Sequence, residues 1–261
     1  MKIIACIKQV PDLAGPMRVK DGQLVQDSDR MMLNAYDASA VEEALNLIET
    51  YGGELEVVLT GPEKARETVR KALAMGAGKG TLITIDADLD ADSAAYADIL
   101  ASFFKDTSYD LILCGKQAQD TDAGLTGSML AEKLQLPYAS NAVGLDAGES
   151  SRTVMVTRQG DTGQEVIELP VPCLVTCSND MNEPRIPGLK GIMQSKRKPF
   201  DVLDPETLGL KTGDLTGSVK TKVTGYKNVP AREPGRKLEG GKPEELVRQL
   251  LDLLDNEAKV L

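Results

Sequence analysis

The chain has 261 residues, of which 41% are hydrophobic, and its 40 acidic and 30 basic residues give a formal net charge of −10. Histidine is absent, which excludes Ser-His-Asp and Cys-His catalysis, histidine-ligated zinc and a histidine-based pH switch. The acidic balance argues against nonspecific nucleic-acid binding, because such binding requires a basic surface.

The cysteines and the apolar runs indicate the compartment. Cys6, Cys114, Cys173 and Cys177 form no CxxC pair, so we expect buried free thiols in a reducing compartment rather than a disulfide framework. The apolar run at the N-terminus meets charge at Lys8 and is too short for a signal-peptide core. No stretch approaches the ~20 apolar residues of a membrane span. We therefore predict a cytoplasmic protein with no membrane span.

The first half of the chain alternates apolar, β-branched runs with segments of helical periodicity. We predict strands at residues 3–7, 55–59, 82–85 and 111–114, and helices at 41–48, 63–75, 91–104 and 127–134. Gly52, Gly53 and Gly76 follow two of these helices as stop signals. Strands that alternate with helices in this way predict an α/β fold with a doubly wound, mainly parallel sheet.

The pattern changes after residue 145. Two alternating runs at 153–158 and 164–169 surround a Gly-Asp-Thr-Gly turn and predict a β-hairpin, and residues 171–177 predict a buried strand that rejoins the sheet. Periodicity then fades until an amphipathic helix at 244–254, which predicts an extended C-terminal arm ending in a helix.

In a doubly wound sheet, ligands bind beyond the carboxyl ends of the strands. Three segments follow predicted strands there, at 8–12, 60–62 and 115–126. The third, within CGKQAQDTDAGLTG, combines glycines and small residues before a helix whose free amides suit a phosphate. An ordinary loop with an Asp N-cap is the simpler alternative, since neither GxGxxG nor GxxxxGK[ST] is present.

Two further segments are candidates. The residues Asn-Ala-Tyr-Asp at 34–37 precede a helix expected to start near Ala40, and Asp37 or Ser39 is interpreted as its cap. The basic run 190–198 follows exposed-looking Leu189; it is either a solvated loop or a docking surface for an acidic partner. No spaced pair of carboxylates suggests a general acid/base dyad.

Six segments in order resemble the beta subunit of electron-transfer flavoproteins over nearly the whole chain: IIACIKQVPD, LNAYDASAVEEAL, TGPEKARETVRKALAMGA, CGKQAQDTDAGLTG, VTRQGDTGQEVIELPVPCLVT and NEPRIPGLKGIM. The chain departs from the family pattern at Ala35 and Tyr36, and at Thr162. The resemblance implies three parts: a nucleotide-binding α/β domain over 1–180 that includes the hairpin 153–169, a recognition loop and basic run over 181–198, and an arm over 199–261 that packs on the partner subunit.

The family implies a heterodimer that shuttles electrons between flavoprotein dehydrogenases, such as acyl-CoA dehydrogenases, and a downstream acceptor. The alpha subunit holds most of a redox-active FAD, and the beta subunit flanks that FAD and binds a structural AMP. In flavin-bifurcating members, which oxidise NADH, a second FAD occupies the AMP site. The stretch 120–126 departs from the bifurcating pattern, which favours AMP and leaves the second FAD open. Neither form of the subunit is an enzyme alone, since the flavin supplies the chemistry.

The resemblance also implies site residues. Those expected around the nucleotide are Cys6, Asn34, Ala35, Tyr36, Asp37, Thr60, Gly115, Lys116, Gln117, Ala118, Gln119, Asp120, Thr121, Asp122, Ala123, Gly124, Leu125 and Thr126. Small side chains at the ends of the first two strands would leave room for an adenine, and amides of 123–126 would hold the phosphate. Those expected to dock a dehydrogenase are Leu189, Ile192, Met193, Lys196 and Lys198.

Two other classes of protein remain as alternatives. A non-redox nucleotide-binding α/β protein would share the sheet but would leave the arm and the hairpin unexplained. An autonomous flavodoxin-like carrier would need aromatic side chains to stack its flavin, and Tyr36 is the one aromatic residue in the candidate segments 8–12, 34–37, 60–62 and 115–126.

Overall fold

The computed structural model describes residues 1–15, 17–26, 30–86, 91–148, 152–232 and 234–260. The chain divides into two compact units, Met1–Gly225 and Tyr226–Leu261. The strands are β1 Lys2–Ile7, β2 Gln9–Pro11, β3 Met17–Lys20, β4 Gln23–Gln26, β5 Met31–Leu33, β6 Glu54–Gly61, β7 Lys79–Thr84, β8 Leu111–Gly115, β9 Tyr138–Asp146, β10 Thr153–Gln159, β11 Gln164–Pro170, β12 Cys173–Cys177 and β13 Phe200–Leu203.

The helices of the first unit are α1 Ala35–Tyr51, α2 Arg66–Met75, α3 Ser93–Phe104, α4 Thr126–Leu134, α5 Leu189–Ser195 and α6 Thr212–Ser218, with short 3₁₀ turns at Glu63–Ala65 and Pro205–Leu208. The second unit contains α7 Pro243–Leu253, which continues into a π turn at Leu254–Ala258. No helix in the described part of the chain is long and apolar enough to cross a membrane.

A nine-stranded sheet in the order β11-β10-β9-β12-β8-β1-β6-β7-β13 forms the centre of the first unit. Neighbouring strands in the part β9-β12-β8-β1-β6-β7-β13 of this order are all parallel. Beyond β9, the strands β10 and β11 continue the sheet as an antiparallel hairpin. The predicted doubly wound, mainly parallel α/β fold and its hairpin are confirmed.

The inner parallel strands β1, β6, β7, β8 and β12 are covered on both faces, which explains their continuous apolar sequences. In β1, Ile3 and Ala5 belong to one core cluster with residues of α1 and α2, whereas Ile4 and Cys6 belong to the other with residues of α3 and α4. This alternation follows the period of two in a strand. All four cysteines are free and buried, as predicted.

The structure differs from the sequence prediction at the start of α1. This helix begins at Ala35 instead of near Ala40, so Asp37 and Ser39 are buried residues inside it. The interpretation of either as the N-cap is therefore wrong; Asn34 holds that position. The reason is tertiary, because the Asp37 side chain bonds to strand ends rather than to its own helix.

The first part of the predicted arm, after residue 198, is packed on the sheet domain rather than extended. β13 adds to the sheet edge beside β7, and α6 packs on α3 with Leu215 buried. The Phe200 ring lies under the guanidinium groups of Arg66 and Arg70, 5.1 and 4.8 Å from its centroid. These contacts place residues 200–218 in the first unit. The predicted loop around 189–193 is helical from Leu189 onward.

Candidate functional site

A cleft lies at the point where the strand order reverses. After β1 the chain adds β6 and β7 on one side, and β8 then pairs with the other side of β1. Such a switch point is where doubly wound sheets bind ligands. The cleft is lined by Cys6, Ile7, Lys8, Asn34, Asp37, Thr60, Tyr96, Leu100, Cys114, Gly115, Lys116, Gln117, Ala118, Ala123, Gly124, Thr126 and Gly127.

Most of the residues expected around a nucleotide line this cleft. Of the others, Thr121, Asp122 and Leu125 line an adjoining outer cleft, whereas Ala35, Tyr36, Gln119 and Asp120 line neither. The sequence list missed Ile7, Lys8, Tyr96, Leu100, Cys114 and Gly127. Lys8 and Cys114 could have been found, since they stand where β1 and β8 end. Tyr96 and Leu100 carry no such signal in the sequence, because the packing of α3 on the sheet determines which of its residues face the cleft.

The Asp37 carboxylate fastens two strand ends together. It accepts the amide of Lys8 at 2.7 Å and the amide of Gly115 at 3.0 Å. A Cβ on Gly115 would lie 2.2 Å from the carboxylate, so this close approach requires glycine. Burial raises the pKa of Asp37 to about 7, against the opposing effect of its amide donors.

Asn34 holds the loop that follows β8. Its side-chain amide donates to the carbonyl of Gln117 at 2.8 Å, and its Oδ1 accepts the amide of Gln119 at 3.1 Å. The amide of Ala35 donates to the Gln119 side chain at 2.7 Å. The segment 34–37 therefore positions the loop, with Asn34 and Asp37 also in the wall of the cleft.

Lys8 is neutralised by the same loop. Its ammonium group lies 2.8 and 2.9 Å from the two carboxylate oxygens of Asp120. Negative charge on a ligand would therefore rely on Lys116 and on backbone amides rather than on Lys8. The start of α4 offers such amides, because its N-cap is Leu125, which has no side-chain acceptor.

The inner wall of the cleft is small and weakly polar. Cys6 and Cys114 are register partners on β1 and β8, and a hydrogen bond between their thiols, followed by burial, raises the pKa of Cys6. A thiol so shifted is a poor nucleophile. The buried Oγ of Thr60 has no hydrogen-bond partner among the described residues. A buried hydroxyl without a partner fits a polar ligand atom.

The residues expected to dock a partner divide into two groups. Leu189, Ile192 and Met193 are exposed on α5, Leu189 to 82%, and Lys196 is exposed after it. Lys198 instead donates to three carbonyls at the end of α2, those of Leu73, Gly76 and Ala77, at 2.7–3.1 Å. Its charge stabilises that helix end, and burial lowers its pKa.

Comparisons with known proteins show the family of the chain. A family model described as the electron transfer flavoprotein domain matches residues 21–208. The chain is 34% identical to the electron transfer flavoprotein subunit beta of Bacillus subtilis, over the whole of both chains. It belongs to the beta-subunit family of electron transfer flavoproteins.

Two further proteins are similar to the chain at about the same identity. The acryloyl-CoA reductase electron transfer subunit gamma of Anaerotignum propionicum is 35% identical, over 96% of this chain and 98% of that one. The caffeyl-CoA reductase-Etf complex subunit CarD of Acetobacterium woodii is 34% identical, over 97% and 98%. Electron transfer flavoprotein beta subunits take part in electron transfer, in which the flavin supplies the chemistry and the protein sets its surroundings.

Proposed function

We propose that this chain is the beta subunit of a heterodimeric electron transfer flavoprotein. It shuttles electrons between flavoprotein dehydrogenases and a downstream acceptor by flanking an FAD that the alpha subunit mainly holds. The observation that carries the proposal is the cleft at the β1–β8 switch point, whose wall contains most of the residues that the family resemblance selects. When bound, FAD supplies the electron chemistry, and this chain supplies a nucleotide site and a docking surface.

The nucleotide in the cleft is AMP. Its phosphate would meet the free amides at the start of α4, where a helix N-terminus favours an anion. Its adenine would lie against the small thiols of Cys6 and Cys114, where the hydroxyl of Thr60 would gain a partner. The contacts of Asn34 and Asp37 hold the loop in the shape that binds the nucleotide. Because the nucleotide binds the folded subunit and not the unfolded chain, it stabilises the fold.

A second FAD in the same cleft is the alternative, and the outer cleft favours it. That cleft shares Lys8, Tyr96, Ala118, Ala123, Gly124 and Thr126 with the inner one, and it continues past the start of α4. It therefore offers space beyond a phosphate for the rest of a dinucleotide. In that case the complex would be flavin-bifurcating and would oxidise NADH.

The docking partner is a flavoprotein dehydrogenase of the acyl-CoA dehydrogenase type. Leu189 is a single exposed aliphatic side chain between Gly188 and Lys190, and transient interfaces concentrate their free energy in such anchors. Lys190 and Lys196 would raise the association rate with an acidic partner surface.

The experiment is anaerobic reduction of the purified heterodimer. An acyl-CoA dehydrogenase with its acyl-CoA substrate, and NADH alone, are tested separately while flavin absorbance is followed. We expect reduction by the dehydrogenase and none by NADH. Reduction by NADH would favour the bifurcating alternative, and reduction by neither would contradict the proposed electron transfer.

A further inference from the structure

The segment that leads into α5 is fixed to α1 by one arginine. Arg185 donates through Nε and Nη2 to both carboxylate oxygens of Glu42 at 2.9–3.0 Å, and through Nη1 to Glu49 at 2.6 Å. Its backbone amide also donates to Glu42 at 3.0 Å. These bonds join parts of the chain that are 143 residues apart. We call this arrangement the Arg185 clamp.

The clamp uses a buried charge. Glu42 lies in the middle of α1 and is only 6% exposed. Burial of an ion pair contributes little net stability, because the cost of desolvation offsets the attraction. A bidentate guanidinium–carboxylate pair does specify geometry, since both partners must be aligned. The clamp is therefore better suited to fix the position of the segment than to stabilise the fold.

The segment that is fixed presents exposed apolar side chains. Ile186 follows Arg185 directly and is 92% exposed, and Leu189 comes three residues later. Between them Pro187 restricts the backbone. Two exposed aliphatic residues three positions apart, on a segment held by a buried ion pair, fit an interface that is ordered before the partner arrives.

The far end of the same segment is held by α2. A Cβ on Gly191 would lie 2.4 Å from the carbonyl oxygen of Ala74, so α5 contacts α2 directly. The Arg70 guanidinium also donates to the carbonyl of Ser195 at the end of α5. Thus α5 has its own attachment after Leu189, whereas residues 182–188 are attached through Arg185 and through Asn182, which donates to Ser39 and Glu43.

We propose that Arg185 is a positioning residue for docking: it orders residues 183–188 so that Ile186 and Leu189 form one preorganised surface for the dehydrogenase. This inference rests on the docking role proposed above for Leu189. Arg185 acts through position and not through charge, because Glu42 and Glu49 neutralise its guanidinium. Preorganisation lowers the entropy lost on binding, so the clamp lowers the concentration of heterodimer needed to saturate the dehydrogenase.

The test compares Arg185→Ala with the wild-type heterodimer. We expect at least tenfold faster exchange of the backbone amides at positions 183, 185, 186 and 188, with exchange in β1 and β8 unchanged. The half-saturating heterodimer concentration for reduction by an acyl-CoA dehydrogenase should rise at least threefold, with the maximal rate retained. Because Arg185→Ala leaves the Glu42 carboxylate buried without its partner, the double variant Glu42→Gln/Arg185→Ala, which removes both charges, is measured as well and should behave alike.

Arg197→Ala is the matched control, since it removes an exposed cation just after the same helix. We expect it to change the salt dependence of docking without changing amide exchange. Two results would overturn the proposal, provided that Leu189→Ala impairs docking. One is unchanged amide exchange in both clamp variants, and the other is faster amide exchange with an unchanged half-saturating concentration of heterodimer. If Leu189→Ala is also without effect, the docking role itself is wrong.

Discussion

The amide of Gly115 donates to the carboxylate of Asp37 at 3.0 Å, and this bond joins the end of β8 to the first turn of α1. The same carboxylate accepts the amide of Lys8 beyond β1. The two strands that flank the switch point are thus held by one side chain from a third element. The shape of the cleft depends on this carboxylate being buried and on Gly115 having no side chain.

The first prediction concerns Gly115→Ala. The new methyl group would lie 2.2 Å from the Asp37 carboxylate and 2.8 Å from the Asp37 amide nitrogen. Neither group can move away without loss of the hydrogen bonds from Lys8 and Gly115 to Asp37. We expect a loss of about 1–3 kcal/mol in the free energy of unfolding, as for overpacked cores. Gly144→Ala is the matched strand control, because its methyl group would make ordinary contact at 3.6 Å. Denaturant unfolding of both variants checks this, and equal effects would contradict it.

The second prediction is a pH dependence of stability. The pKa of Asp37 is about 7 in the folded chain against 3.8 for the free side chain, so the folded state binds this proton more tightly. The contribution of Asp37 to stability is full below pH 3.8 and is lost as the pH rises through about 7. The slope is at most about 1.4 kcal/mol per pH unit.

Asp37→Asn isolates this effect, since the asparagine does not titrate. The difference in unfolding free energy, wild type minus Asp37→Asn, should fall between pH 5 and pH 8. Other titrating groups are common to both proteins and largely cancel in the difference. A difference independent of pH would show that Asp37 titrates normally.

The third prediction concerns the loop before α4. Gly124→Glu places a carboxylate beside the amides expected to bind phosphate, and its Cβ would already lie 3.2 Å from the carbonyl oxygen of Lys116. We expect the purified variant to lose most of its bound nucleotide. Gly213→Glu adds the same charge on α6, where a Cβ meets nothing within 4 Å, and should keep it. Nucleotide release on denaturation, measured by chromatography, decides between them.

The fourth prediction concerns Leu189→Ala. The truncation should lower electron transfer from the dehydrogenase about tenfold or more, the effect of losing ~1.4 kcal/mol at an anchor residue. The AMP and flavin content of the heterodimer should not change, because Leu189 is an exposed residue of α5 and does not line the nucleotide cleft. Leu24→Ala, at an exposed leucine on the β3–β4 hairpin, is the control. Undiminished transfer at low protein concentration would rule out the anchor role.

The fifth prediction concerns residues 226–261. The exposed face of α7 includes Val247, Leu250 and Leu251, whose full burial is worth ~1.5–3 kcal/mol each. Truncation after Gly225 should abolish the stable heterodimer while the first unit keeps its fold, since the core clusters of the sheet lie within Met1–Gly225. Leu250→Glu/Leu251→Glu tests the same face within the full chain. A full-strength complex in both cases would contradict the predicted role of the arm.

Much of the sheet could be predicted from the sequence, because a parallel strand buried on both faces has to be apolar and β-branched throughout. The edge strand β13 was missed because its pairing depends on β7 and on Arg66 and Arg70, which lie far away in the sequence. The start of α1 was misplaced for a similar reason, since Asp37 looks like a cap until Lys8 and Gly115 are seen beside it. Lys198 looked like a surface charge, and only the fold reveals the helix end that it contacts.

The most direct measurement is the identity and amount of nucleotide in the purified heterodimer. The protein is denatured, and the released compounds are separated and quantified against the protein concentration. We expect one FAD and one AMP per heterodimer, the FAD from the site shared with the alpha subunit and the AMP from the cleft at the carboxyl ends of β1 and β8. Two FAD and no AMP would contradict the structural AMP in favour of bifurcation, and one FAD with no second nucleotide would contradict a nucleotide in the cleft.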